Sequence, residues 1–334
     1  MAKIAVMGAG SWGTTFAKLL ADNPENDVVL WARRKDVADE INQDHRNGDY
    51  LPGINLPKRL TAHSDVATVL ADAELVFLSV PSQSLRGNLQ EWGPLLPKKA
   101  ILVSLMKGVE KDTGLRMSEV IASVTGFDAA QIAVVSGPNL ALEIAKEQPA
   151  ASVAASASQS TAATVAKAAS NNYFTTFTNK DVIGTEFGGI LKNLIAVAIG
   201  IVNGVGYGEN TKASIMTRGL AEISRFAVAY GAKATTMVGL AGLGDLIATS
   251  ESPLSRNHKA GEMLGKGYTL REVLRRMSQT AEGLSSVAPI LQLAAAKDVS
   301  MPIVEQVQLV LEGKMDPKDI APHLTTETDG PQGE

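Results

Sequence analysis

The sequence predicts an α/β protein in which a doubly wound, mainly parallel sheet is followed by an all-α domain. Three observations carry this expectation. Short apolar runs alternate with helical patterns over the first half of the chain, as in strands laid parallel and covered by helices. The first run, residues 3–7, passes directly into Gly8-Ala9-Gly10-Ser11-Trp12-Gly13 and then into a helical pattern at 14–21. Beyond about Asp181 the strand signals stop, and helical patterns occupy 185–205, 212–230, 284–297 and 303–311.

Strands are expected at 4–7, 28–31, 75–80, 101–104, 132–135, 151–155 and 173–178. Each of the first five ends at a polar or Gly/Pro cluster, where an open α/β sheet places its ligand-binding loops. The Ala-, Ser- and Thr-rich stretch 151–170 reads as a short strand and a helix from Thr161. The change of pattern divides the chain into 1–180, an α/β domain, and 181–322, a helical domain. The remaining 323–334 is polar, acidic and rich in Gly and Pro, and reads as a disordered tail.

At 334 residues the chain can bury two cores. A net charge of −4 offers no basic field for nucleic acid. With no cysteine in the chain, disulfides, thiolate metal sites and a cysteine nucleophile are excluded, which suits a cytoplasmic protein. The four histidines form no convincing metal cluster in the sequence, so no metal is expected. The N-terminal run is too short and too soon glycine-rich for a signal peptide, and the apolar stretch 194–202 is far short of a membrane span.

A strand, Gly-x-Gly-x-x-Gly and a helix in that order form the dinucleotide fingerprint of Rossmann-type domains. Gly8 permits the tight turn, Gly10 lets backbone approach a pyrophosphate, and Gly13 lets helix pack on strand. Ser11 and Trp12 lie between them, at the helix start whose free amides favour negative charge. The second expected strand ends in Ala32-Arg33-Arg34-Lys35-Asp36, with two arginines where an acidic residue holds the ribose of NAD. Taken alone this is equally a solvated basic turn. Joined to the fingerprint it favours NADPH, and the nearby Asp36 also admits NADH.

Four further elements carry chemistry. Lys107 follows a strand at the sheet edge that faces the crevice, although loop lysines are mostly solvated. Ser136-Gly137-Pro138-Asn139 ends another strand and offers backbone amides and a polar side chain, or simply Asn139 as a helix cap. Lys192 is the one cation in an otherwise apolar helical stretch. Burial there would disfavour its ammonium form, as an acid/base lysine requires, whereas a lysine at a helix edge would snorkel. Gly242-Leu243-Gly244-Asp245 precedes a polar segment, read as a loop, in which Ser255-Arg256-Asn257 would serve as an anion clamp.

The set resembles the NAD(P)-dependent glycerol-3-phosphate dehydrogenases of bacterial type. The resemblance rests on Gly8 to Thr14, Trp31 to Arg34, Lys107-Gly108, Ser136 to Asn139, Leu191-Lys192-Asn193, Gly242 to Leu246 and Ser255 to Asn257, and runs from Lys3 to about Val310. It implies a Rossmann domain followed by an all-helical domain, a homodimer, and an active site between the domains. It implies cofactor contacts from Ser11, Trp12, Arg33, Ala141, Arg256 and Glu282, and substrate contacts from Lys107, Gly137, Asn139, Asp245, Ser255, Arg256 and Asn257. Lys192 would be the proton donor and acceptor. The sequence departs from the family pattern at Arg33, often His, and at Asn139, often Ser or Thr.

The activity implied is reversible NAD(P)H-dependent reduction of dihydroxyacetone phosphate to sn-glycerol 3-phosphate, supplying phospholipid synthesis. In that reaction Lys192, Lys107 and Asp245 are the expected catalytic groups. The alternatives are a β-hydroxyacid dehydrogenase or a ketopantoate-type reductase, which share the two-domain plan. The β-hydroxyacid family places Asn four residues after its lysine, where this chain has Ala196. A non-catalytic NADP sensor would need neither Lys192 nor the clamp.

Overall fold

The computed structural model describes residues 1–277 and 281–321, and the expected disordered tail lies outside the described residues. The chain forms two compact units, Met1–Glu186 and a second from Phe187 onward.

In the first unit the chain runs β1 (Ala2–Met7), α1 (Ser11–Asp22), β2 (Asn26–Trp31), α2 (Lys35–Asp44), β3 (Thr61–His63), α3 (Val66–Leu70), β4 (Leu75–Leu78) and α4 (Leu85–Trp92). It continues through β5 (Ile101–Ser104), α5 (Met117–Thr125), β6 (Ile132–Ser136), α6 (Ala141–Ala145), β7 (Ala150–Ser156), α7 (Gln159–Ala168) and β8 (Phe174–Asn179). The strands form one sheet in the order β3-β2-β1-β4-β5-β6-β7-β8. Strands β1 to β6 are parallel, and β7 pairs antiparallel with β6.

Alternation along β1 divides the buried side chains between two cores. Ile4 and Val6 pack with Phe16, Leu20 and Phe77 on one face. Ala5 and Met7 pack with Val76, Leu85 and Trp92 on the other. Because both faces are covered, the strands read as continuous apolar runs. The strand order reverses direction at β1, between β2 and β4. In open α/β sheets the crevice beyond the strand ends at such a point receives the ligand.

Two elements depart from expectation. Strand β3 is absent from the sequence reading because it spans only Thr61–His63 and buries only Ala62. Strand β4 stops at Leu78 rather than at Val80, as Pro81 has no N–H for the ladder and the chain turns at Ser82–Ser84.

The second unit holds most of α8 (Val182–Val205), then α9 (Glu209–Ala229) and α10 (Ala234–Met237). A π-helical turn at Leu240–Gly244 runs into α11 (Asp245–Glu251), followed by α12 (Arg256–Gly265), α13 (Leu270–Arg276), α14 (Glu282–Ala296) and α15 (Pro302–Leu311). Helix α8 is longer than its apolar centre suggested. Its 24 residues suffice by length and composition to cross a membrane, but 83% of its most apolar window is buried within the protein. Glycines bring α8 and α12 into backbone contact. A Cβ at Gly200 would lie 2.1 Å from the His258 carbonyl oxygen, and one at Gly261 2.1 Å from that of Val197.

Candidate active site

The glycine turn sits at the switch point of the first unit. Gly8 has φ +126°, and a Cβ at Gly13 would lie 1.9 Å from the Gly8 carbonyl oxygen, so close packing requires glycine there. A Cβ at Gly10 would meet no atom of the described residues within 4 Å. Gly10 thus leaves open space at the start of α1, whose first turn carries no acidic residue. Ser11 and Trp12 form that turn, and Ser11 Oγ donates to the Tyr50 carbonyl at 2.6 Å. Asn47, unnoticed in the sequence, donates to the Ala9 carbonyl (3.0 Å) and to Thr14 Oγ1 (2.8 Å), pinning the turn from a distant loop.

The two arginines after β2 differ. Arg34 is paired with Asp49 and lies 3.7 Å from Asp36, and its hydrogen bond to Asp49 raises its pKa. Arg33 is exposed and has no hydrogen-bond or ion-pair partner among the described residues. An open turn at a helix N-terminus and a free guanidinium after the second strand fit a phosphorylated dinucleotide.

Lys107 follows β5, and its Nζ donates to the Gly137 carbonyl at 3.0 Å, joining the loops after β5 and β6. Ser152 Oγ, from the antiparallel β7, lies 2.9 Å from the Ser136 carbonyl oxygen and 3.2 Å from Asn139 Oδ1. Asn139 does not cap α6, whose N-cap is Leu140. Its Nδ2, shielded from solvent, has no hydrogen-bond partner among the described residues. Ala141 begins α6 and accepts a hydrogen bond from Thr15 on α1 at 3.3 Å.

In the second unit Lys192 is 6% exposed and Asp245 1%. Lys192 Nζ donates to Asp245 Oδ1 at 2.7 Å and to the Thr249 hydroxyl. The helix around Lys192 is apolar, and the carboxylate that meets its ammonium comes from Asp245 on α11. Glycine sets this meeting. A Cβ at Gly188 would lie 2.3 Å from the Ala241 carbonyl oxygen, so α8 touches the π-helical turn there. One turn further along each element stand Lys192 and Asp245, on the same faces. Asp245 is legible in the sequence, whereas Thr249 lies in the polar segment after it and carries no motif of its own. Its signal is the spacing from Asp245, which puts both on one face of α11.

The Ser255–Asn257 segment is not a loop. Ser255 is the N-cap of α12 and accepts from the His258 amide at 3.2 Å, so Arg256 is the first helical residue and is exposed. Asn257 is buried. Its Nδ2 donates to Asn193 Oδ1 at 2.8 Å, and its Oδ1 accepts from the Gly283 amide at 2.9 Å. Asn193 next to Lys192, and Glu282 next to Gly283, are thereby tied to the residue beside Arg256. Among the described residues no group of three or more His, Asp or Glu could hold a metal ion.

Two family models match, those of the N-terminal and C-terminal regions of NAD-dependent glycerol-3-phosphate dehydrogenase, over residues 3–162 and 181–322. A glycerol-3-phosphate dehydrogenase [NAD(P)+] of Leifsonia xyli is 65% identical over 98% of this chain and 89% of its own length. That of Thermobifida fusca is 51% identical over 96% and 95%. The crystal structure of a glycerol-3-phosphate dehydrogenase from Coxiella burnetii superimposes with TM-score 0.91 at 34% identity, covering 98% of this chain and 99% of that one. The chain therefore belongs to the NAD-dependent glycerol-3-phosphate dehydrogenase family.

Proposed function

We propose that the chain catalyses the reversible NAD(P)H-dependent reduction of dihydroxyacetone phosphate to sn-glycerol 3-phosphate. The observation that carries this reading is the buried lysine of α8, with Asp245 and Thr249 on its ammonium group. Such a group is fixed in direction and shielded from water, as a proton donor at a reacting carbonyl must be.

When bound, the nicotinamide supplies a hydride to C2 of the substrate. Lys192 donates the proton that turns the carbonyl oxygen into a hydroxyl, and takes it back in the reverse direction. Lys107 stabilises the negative charge that develops on that oxygen, and Asp245 holds Lys192 in direction. Gly137 and Asn139 hold the substrate's polar groups, and the unpaired Asn139 amide supports that role. Ser255, Arg256 and Asn257 take the phosphate, so that binding energy away from C2 fixes the carbonyl in place.

Gly8, Gly10, Ser11, Trp12 and Gly13 would hold the pyrophosphate side of the cofactor, joined by Lys107, Ala141, Arg256 and Glu282. Arg33, with Arg34 beside it, would take the 2′-phosphate of NADPH. The chain works as a cytoplasmic homodimer that feeds glycerophosphate to phospholipid synthesis.

Consumption of NADPH, followed by absorbance, tests the reading with dihydroxyacetone phosphate, ketopantoate and a β-keto acid offered separately. Turnover should require dihydroxyacetone phosphate. Faster reduction of either other substrate would replace this reading.

A further inference from the structure

The segment that carries Lys107 is braced from outside in a way the reaction alone does not explain. Residues 105–116 leave β5 and return on themselves: Glu110 N donates to the Leu115 carbonyl at 2.9 Å, Gly114 N donates to that of Glu110 at 2.8 Å, and Val109 bridges to Arg116. The turn and helix after β4 close on this loop. Gln83 Nε2 donates to the Val109 carbonyl at 2.8 Å, and its Oε1 accepts from the Lys111 amide at 3.1 Å. Arg86 grips the Glu110 carboxylate with two parallel hydrogen bonds, Nε to Oε1 and Nη2 to Oε2, each 2.8 Å. Thr113 Oγ1 donates to the same carboxylate. A Cβ at Gly108 would lie 2.5 Å from Ser82 Oγ, so the residue next to Lys107 is pressed against the same turn.

A loop lysine needs none of this to be soluble or folded. A bidentate guanidinium–carboxylate pair fixes direction as well as distance. Here it fixes the backbone three residues beyond Lys107, while β5 fixes the backbone before it. The hydrogen bonds from Arg86 hold the Glu110 carboxyl below the usual carboxylate range, with burial opposing them.

Resting on the role given to Lys107 above, we propose that Glu110, gripped by Arg86, and Gln83 are positioning residues that aim the Lys107 ammonium at the reacting carbonyl oxygen. They touch neither substrate nor cofactor. They act by holding the loop so that Lys107 reaches the Gly137 side of the sheet edge. Loss of either should therefore cost turnover only while Lys107 is present.

A double-mutant cycle on the full chain tests this, with steady-state reduction of dihydroxyacetone phosphate by NADPH as the readout. Glu110→Gln should lower kcat about 10-fold, part of the ~100-fold that a 1 Å misplacement can cost. In a Lys107→Ala background the same change should lower kcat no further. Gln83→Ala leaves the ion pair in place and should behave alike, with a smaller loss that again vanishes without Lys107. Equal fold losses with and without Lys107 would mean general damage to the fold and overturn the proposal. Full turnover in Lys107→Ala alone is a separate result, and would remove the role of Lys107 itself.

Discussion

Lys192 and Asp245 form an ion pair 2.7 Å long, with side-chain exposures of only 8% and 1%. The desolvation penalty of such a pair largely offsets its attraction, so it is a poor device for joining two helices. It is an effective one for holding an ammonium group in a fixed direction. Lys192→Ala should lower turnover on the order of 100-fold or more. Asp245→Asn should destabilise the protein by about 3–5 kcal/mol, because it strands a buried charge. Lys192→Met combined with Asp245→Leu should regain most of that stability in urea unfolding, while turnover stays lost. A double variant that is both stable and active would show that the pair has no part in the reaction.

Arg33 and Arg34 are neighbours with different commitments. Arg34 is held by Asp49, whereas Arg33 has no partner among the described residues. Arg33→Asp should raise KM for NADPH about 10-fold or more, the scale of a lost charge-assisted hydrogen bond, and leave KM for NADH little changed. Arg34→Ala should shift the ratio less. Measuring both constants in each variant checks the assignment, and an unchanged ratio in Arg33→Asp would remove Arg33 from that role.

Arg256 and Asn257 should separate in the same way. Arg256 is exposed at the first position of α12, and Arg256→Ala should raise KM for the phosphorylated substrate far more than for unphosphorylated dihydroxyacetone. Asn257 is also tied to Asn193 and Gly283, so Asn257→Leu should, besides raising KM for the phosphorylated substrate, cost about 1–3 kcal/mol of stability for the buried partners left unpaired, a loss that Arg256→Ala should not share. Chemical denaturation and substrate kinetics on both variants distinguish the two effects.

What was legible follows from range. The glycine turn could be read because its close contact, Gly13 against Gly8, lies within the motif itself. Lys192 stood out as a charge in an apolar helical stretch, a local signal. The short strand β3 has no room for a period, and α11 and α12, at seven and ten residues, are too short to repeat one. Ser255 reads as a loop residue in the sequence because nothing apolar and periodic follows it closely. Thr249 and Asn193 gain their meaning from partners 57 and 64 positions away in sequence, which no local pattern reveals.

Glu222 yields a pH prediction of its own. It stands on α9, is 1% exposed, and accepts hydrogen bonds from the Ile303 and Val304 amides at the start of α15, at 2.9 and 3.1 Å. Burial pushes its carboxyl up to about 7, against the pull of those two amides and of Arg225, with Glu305 adding to the rise. The folded state thus binds this proton more tightly than the unfolded chain, whose glutamate titrates near 4.3. Its contribution to stability is present in full below that value, is lost as pH rises toward about 7, and is flat above. The scale is about 4 kcal/mol over the window. Glu222→Gln cannot titrate. The stability difference between wild type and variant should therefore move in favour of the wild type as pH falls from 7.5 to 5, measured by urea unfolding at each pH. Parallel profiles would show that the Glu222 carboxyl titrates alike in the folded and unfolded chains.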